Sequence, residues 1–179
     1  MHTSSLTQLA VGSTYMSPMW FSFYRRDGQN DSCGFEHVFV GESKGDVIVG
    51  FHNWIQFYIE EGRGHVDYLG YVRPRPAGRQ VPDTADNEDR LVSVQFSWRG
   101  EEKSASTFFV GTSPEFELAL YTLIFLCNPQ QDKTFLELGP YDMNVVCYRI
   151  RSKYGDKVAT AYPELLGEDP SNELQAGAL

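Results

Sequence analysis

The chain has 179 residues, of which 41% are apolar, 22% charged and 14% aromatic. That balance excludes a disordered or low-complexity protein and suits one domain large enough to bury its own core. Its 15 basic and 24 acidic side chains leave a net charge of −9. Such a charge argues against a protein that grips a long duplex through many phosphates, but not against a small site for one or two nucleotides. The longest uncharged apolar run, Leu118 to Cys127, is shorter than the roughly 20 residues a membrane-crossing helix needs. The first 20 residues hold no Lys, no Arg and no continuous apolar core, so no signal peptide is expected. Cys33, Cys127 and Cys147 are widely spaced without a CxxC pair, which points to reduced core residues rather than zinc or a disulfide framework.

Residues 1–18 show no periodicity and read as a lead-in; Trp20 to Tyr24 is an aromatic packing anchor, and Arg25 to Ser32 is loop chemistry. Glu36 to Val40 and Val47 to Gly50, separated by Gly41 to Asp46, predict a β-hairpin. Asn53 then reads as the N-cap of a helix carrying Trp54, Phe57 and Tyr58 on one face, with Gly62 just past its end. Val66 to Val72 predicts a strand, and the proline-rich stretch 73–90 a surface connection. Leu91 to Trp98 alternates with Val92, Val94, Phe96 and Trp98 on one face, and a turn near Gly100 leads into a second strand, Lys103 to Val110. Ser113-Pro114-Glu115 starts a helix, with Phe116, Ala119, Leu120, Leu123 and Ile124 on its core face, and Asn128-Pro129 ends it. Strands are expected at 134–138, 144–150 and 157–162, followed by a tail at 164–179. The fold class is α+β with mostly antiparallel sheet.

His2 and His65 read as ordinary surface or structural residues. His37 and His52 stand apart. In the predicted hairpin Val40 lies opposite Val47 and His37 opposite Gly50, which places the two histidines about 8 Å apart at one end of the ribbon. Two imidazoles could flank one phosphate there. His52, at a helix N-terminus, is expected to stay neutral as a base, and Glu36 beside His37 to favour a protonated acid. Lys103 and Thr107 share a face by strict alternation and could hold an anion and a base edge.

The runs Gly34-Phe35-Glu36-His37-Val38-Phe39-Val40-Gly41-Glu42, Gly50-Phe51-His52-Asn53-Trp54, Phe109 to Glu117 and Thr160-Ala161-Tyr162 resemble the EndoU (XendoU) family of poly(U)-specific endoribonucleases. The resemblance covers about residues 19–163. It implies an EndoU-like fold and metal-assisted cleavage of single-stranded, U-rich RNA at uridylates, leaving a 2′,3′-cyclic phosphate. On this chain the implied catalytic residues are His37, His52 and Lys103, and the implied uridine contacts Thr107 and Tyr162. It further implies stimulation by manganese or calcium, with motif acids at Glu36 and Glu42 and metal ligands left open. The expected protein is a monomer with no membrane partner. Hairpin geometry gives Glu36 and Glu42 a structural or metal-organising part, since Glu36 faces away from His37 and Glu42 lies in the loop at the far end of the hairpin. Family members carry a largely helical lobe ahead of the first motif, which the early position of His37 leaves out. The alternative reading is therefore a single-stranded RNA-binding module with little or no turnover.

Overall fold

The computed structural model describes residues 16–26, 28–72, 90–139, 141–153 and 155–166. The expected linker lies almost wholly outside the described residues, as do most of the lead-in and tail. Among the described residues, eight strands form three antiparallel sheets. The first is a small hairpin of β1 (Glu42–Lys44) and β2 (Val47–Val49). The second has the order β3 (Val66–Tyr71), β4 (Leu91–Trp98), β5 (Glu101–Phe109). The third has the order β6 (Lys133–Leu138), β7 (Tyr141–Ile150), β8 (Lys157–Leu165). Two longer helices, α1 (Trp54–Gly62) and α2 (Pro114–Cys127), pack among them. The α+β class expected from the sequence holds.

Both helices start where side-chain chemistry demands. The Asn53 Oδ1 accepts from Ile55 N and Gln56 N at 3.1 and 3.2 Å, satisfying two of the free amides at the start of α1. Ser113 Oγ accepts from Phe116 N at 3.2 Å, and Pro114 occupies the first turn of α2. Gly62 turns out to be the last residue of α1 rather than the residue beyond it.

Glu36–Val40 corrects the sequence reading. The run is a turn of π-helix, not a strand, with Gly41 N donating to Glu36 O at 2.9 Å and His37 N to Cys33 O at 3.0 Å. Burial explains the choice. His37, Val38 and Phe39 are consecutive and all buried, which a strand with one solvated face cannot achieve. The hairpin is therefore shorter than expected. It pairs Glu42 with Val49 and Lys44 with Val47, instead of Val40 with Val47 and His37 with Gly50.

Sheet β3-β4-β5 lies between two apolar clusters, because residues on opposite faces of its strands enter different cores. Val94, Phe96, Trp98 and Phe108 pack with Phe51 and Ile48. Leu91 and Phe109 join the other cluster, where Trp20, Val38, Phe39, Tyr121 and Phe125 meet Met143, Val145 and Val158 of the third sheet. Strand β8 continues through Pro163, which sits opposite Val145, to Leu165, so the chain does not leave the sheet at Tyr162 as the sequence suggested. A proline is tolerated because β8 is an edge strand. All three cysteines are free; Cys33 and Cys147 are buried, and Cys127 is exposed.

Candidate active site

Gly50 brings the two histidines together. Backbone hydrogen bonds from Phe51 N to His37 O (3.0 Å) and from His52 N to Val38 O (2.8 Å) lay the 50–52 segment against the π-turn. A Cβ on Gly50 would stand 1.9 Å from the His37 carbonyl oxygen, so only glycine fits. Phe51 follows with φ of +64°, a left-handed conformation rare for an aromatic residue. Its side chain is locked in the core between Phe96 and Trp98, and its carbonyl accepts from Ser106 Oγ at 2.8 Å. The imidazole centroids of His37 and His52 end 6.5 Å apart. The proximity expected from the hairpin is present, but a π-turn and a strained dipeptide create it.

Glu42 was underrated by the sequence. Because β1 starts at Glu42, its carboxylate stands at the near end of the hairpin, and Oε2 is 2.7 Å from His37 Nδ1. The same oxygen is 3.4 Å from Arg26 Nε. Arg26 is itself tied down, donating through Nη2 to Tyr24 Oη and to Ala159 O, both at 2.6 Å. Nothing in the loop Arg25 to Ser32 marks Arg26 as a site residue in advance. Ser106 was missed for the same reason. Its hydroxyl donates to Phe51 O, and Ser106 Oγ stands 3.2 Å from His52 Nδ1.

The two rings differ in proton affinity, though not for the reasons the sequence offered. Burial, then the Arg26 and Lys103 charges, hold His37 down at about 4, while Glu42 opposes them through its hydrogen bond and charge. Burial, then Lys103 and His37, push His52 well below the usual histidine range, and no carboxylate answers. The raised His37 expected from Glu36 is therefore not found. Of the two rings, only His37 has an acid against it.

Lys103 is half-buried on β5, its ammonium pushed to lower pKa by burial, and it has no ion-pair partner among the described residues. Thr107 does not share its face as strict alternation implied. A bulge sets two residues of β5 against Gln95, so Lys103 pairs with Phe96 and Thr107 with Ser93 on the opposite face. The Thr107 hydroxyl is 2.6 Å from Ser93 Oγ. Both residues nevertheless line the same cavity, since β5 is the edge strand of its sheet. Tyr162 stacks on His52 at 4.4 Å and 15°, so one face of its ring already covers the imidazole rather than standing open to a base. All five expected residues border one cavity of about 510 Å³, together with Arg26, Tyr148 and Thr160. Among the described residues, no three of His, Cys, Asp or Glu converge as a metal would require. Glu42 is committed to His37 and Arg26.

Two buried imidazoles, one of them backed by a carboxylate, beside a lysine with no ion-pair partner among the described residues can move two protons around one anion, which is the equipment of an acid–base nuclease. The family model described as Endoribonuclease XendoU matches residues 4–163. A poly(U)-specific endoribonuclease from Xenopus tropicalis is 46% identical over 152 residues, 83% of this chain and 49% of the relative. A uridylate-specific endoribonuclease from Homo sapiens is 42% identical over 149 residues, 80% of this chain and 34% of that protein. The solved structure of XendoU, described as a splicing-independent snoRNA-processing endoribonuclease, superposes with a TM-score of 0.70 at 42% identity, covering 86% of this chain and 54% of that one. This chain belongs to the XendoU endoribonuclease family. It spans about half the length of the Xenopus relative.

Proposed function

We propose that this chain cleaves single-stranded RNA at uridylates. The supporting observation is the convergence of His37, His52 and Lys103 on one cavity, with Glu42 behind His37. In this reading the neutral His52 takes the proton of the ribose 2′-OH, and the 2′-oxygen attacks the adjacent phosphorus. The bond from phosphorus to the 5′-oxygen breaks, and His37 gives that oxygen its proton. The products are a 2′,3′-cyclic phosphate and a 5′-hydroxyl. Glu42 makes His37 the ring that holds a proton once an anionic phosphate enters, and Lys103 offsets the charge growing on the phosphoryl oxygens. Thr107 and the outward face of Tyr162 are the proposed uridine contacts. Stimulation by manganese or calcium is also proposed, and chelation of the purified chain tests it.

The decisive experiment offers the chain an oligonucleotide with a single ribouridine in DNA and identifies the products by mass. Cleavage there with a cyclic phosphate end is expected. His37→Ala and His52→Ala should each reduce it by about 10² to 10⁴-fold. Binding without cleavage by the unaltered chain would establish the RNA-binding module instead.

A further inference from the structure

Within the otherwise apolar run Leu118 to Cys127 and the turn before it, α2 buries one carboxyl group that the proposed chemistry does not use. Glu117 is fully buried, although a buried acid is costly unless donors meet it. Three do. Oε1 accepts from Thr112 Oγ1 at 2.9 Å and from Asn53 Nδ2 at 3.2 Å, and Tyr121 Oη lies 3.5 Å from Oε2. If Glu117 served packing alone, an apolar side chain of similar volume would fill the space at less cost.

The contact with Asn53 gives the acid a reason. The Asn53 amide has two ends, and its oxygen must face Ile55 N and Gln56 N to start α1. Glu117 holds the other end. The residue before Asn53 is His52, and the two before that are Phe51 and Gly50, both in left-handed backbone. Strained backbone persists only where its surroundings over-determine it. The π-turn grips this segment through Phe51 N and His52 N, and β5 grips it through Ser106. Glu117 supplies the grip from α2. It is not among the residues lining the cavity, so it acts at a distance from any substrate.

We propose that Glu117 is a positioning residue for His52, acting through the Asn53 side chain to fix the imidazole against Tyr162 and the cavity. The inference rests on the acid–base reading of His52. Burial pushes the Glu117 carboxyl up to about 7. Its protonated form still accepts from Asn53 and Thr112 through Oε1, and a glutamine oxygen would do the same.

The test therefore contrasts substitutions. Glu117→Gln should keep kcat near the unaltered value. Glu117→Leu, which removes the acceptor at similar volume, should lower kcat by about ten- to a hundredfold with KM little changed. Because Glu117→Leu could fail to fold, Asn53→Asp provides a second arm. Aspartate still caps α1 but sets a carboxylate against Glu117. It should lower kcat, and Asn53→Asp with Glu117→Gln should recover it, since the glutamine amide can donate to the new acid. The His52 ring protons, shifted by the stacked Tyr162 ring, are followed by NMR in every variant without RNA. A folded Glu117→Leu protein with unchanged kcat and unchanged His52 signals overturns the proposal, as does an Asn53→Asp defect that Glu117→Gln leaves in place. Displaced His52 signals in a chain that cleaves no RNA would instead uphold the positioning and reject the nuclease reading.

Discussion

Residue by residue, the site depends on what stands behind each imidazole. His37 has Glu42 at 2.7 Å, whereas His52 has a serine hydroxyl and a tyrosine ring. Glu42→Gln removes the charge that favours protonated His37, so the pH at which His37 titrates should fall further. The expected result is a rate lowered about tenfold for each unit of that fall, read from the pH–rate profile. An unchanged profile would return Glu42 to the structural part the sequence suggested. Specificity divides differently. Tyr162→Ala strips the cover from His52 and should lower cleavage at every pyrimidine. Thr107→Val removes one hydroxyl and should narrow the uridine-to-cytidine ratio, measured on substrates differing only at the scissile base. His37 and His52 were legible as candidates because long motifs carry them, whereas Tyr162 rested on a three-residue run and Lys103 and Thr107 on strand alternation and the family resemblance. Arg26 and Ser106 were not legible, since each becomes significant only through partners far away in the chain.

Among the elements, those governed by local chemistry were the legible ones. Asn53 and Ser113 cap α1 and α2 as their sequences imply, because capping is decided within four residues. Strands β4 and β5 were equally clear, but the bulge opposite Gln95 was not, and it reversed the face of Thr107 relative to Lys103. The run Glu36–Val40 misled because valine and phenylalanine favour strands, while its burial on consecutive positions is set by residues distant in the chain, such as Tyr121, Met143 and Val158. The glycines of this region separate turn chemistry from close packing. Gly45 has φ of +58° with open space where a Cβ would point, so Gly45→Ala should cost roughly 1–2 kcal/mol from backbone strain and leave cleavage intact. Gly50 has φ of +65° and the His37 carbonyl 1.9 Å from the added carbon. Gly50→Ala should therefore destabilise far more and separate the two histidines. Urea midpoints and cleavage rates on the two variants measure the contrast, and equal losses would show that backbone strain alone accounts for both.

For the whole molecule, the buried titratable groups set how stability follows pH, and they work in opposite directions. His37 is held at about 4 against a usual 6.5. A group with that shift contributes stability above its unfolded value and loses it as pH falls from 6.5 towards 4. His52 acts in the same sense. Glu117 is the reverse, raised to about 7 from 4.5. Its contribution is complete below 4.5 and disappears as pH rises through 7, on the order of 3 kcal/mol for a fully realised shift. Between 4.5 and 6.5 the His37 and Glu117 effects oppose one another. Above that window the His37 effect is complete, and Glu117 goes on weakening the fold as pH rises through 7. Glu117→Gln removes an ionisation without removing an acceptor, so its effect on stability should itself depend on pH. At pH 4.5 the variant should match the unaltered chain. By pH 8 it should be the more stable of the two, by up to about 3 kcal/mol. Urea denaturation of both proteins at pH 4.5, 6 and 8 measures the difference. A gap that stays constant across the three would mean that Glu117 ionises as freely in the folded chain as in the unfolded one. The hydrogen bonds from Thr112 and Asn53 would then outweigh the burial that raises it.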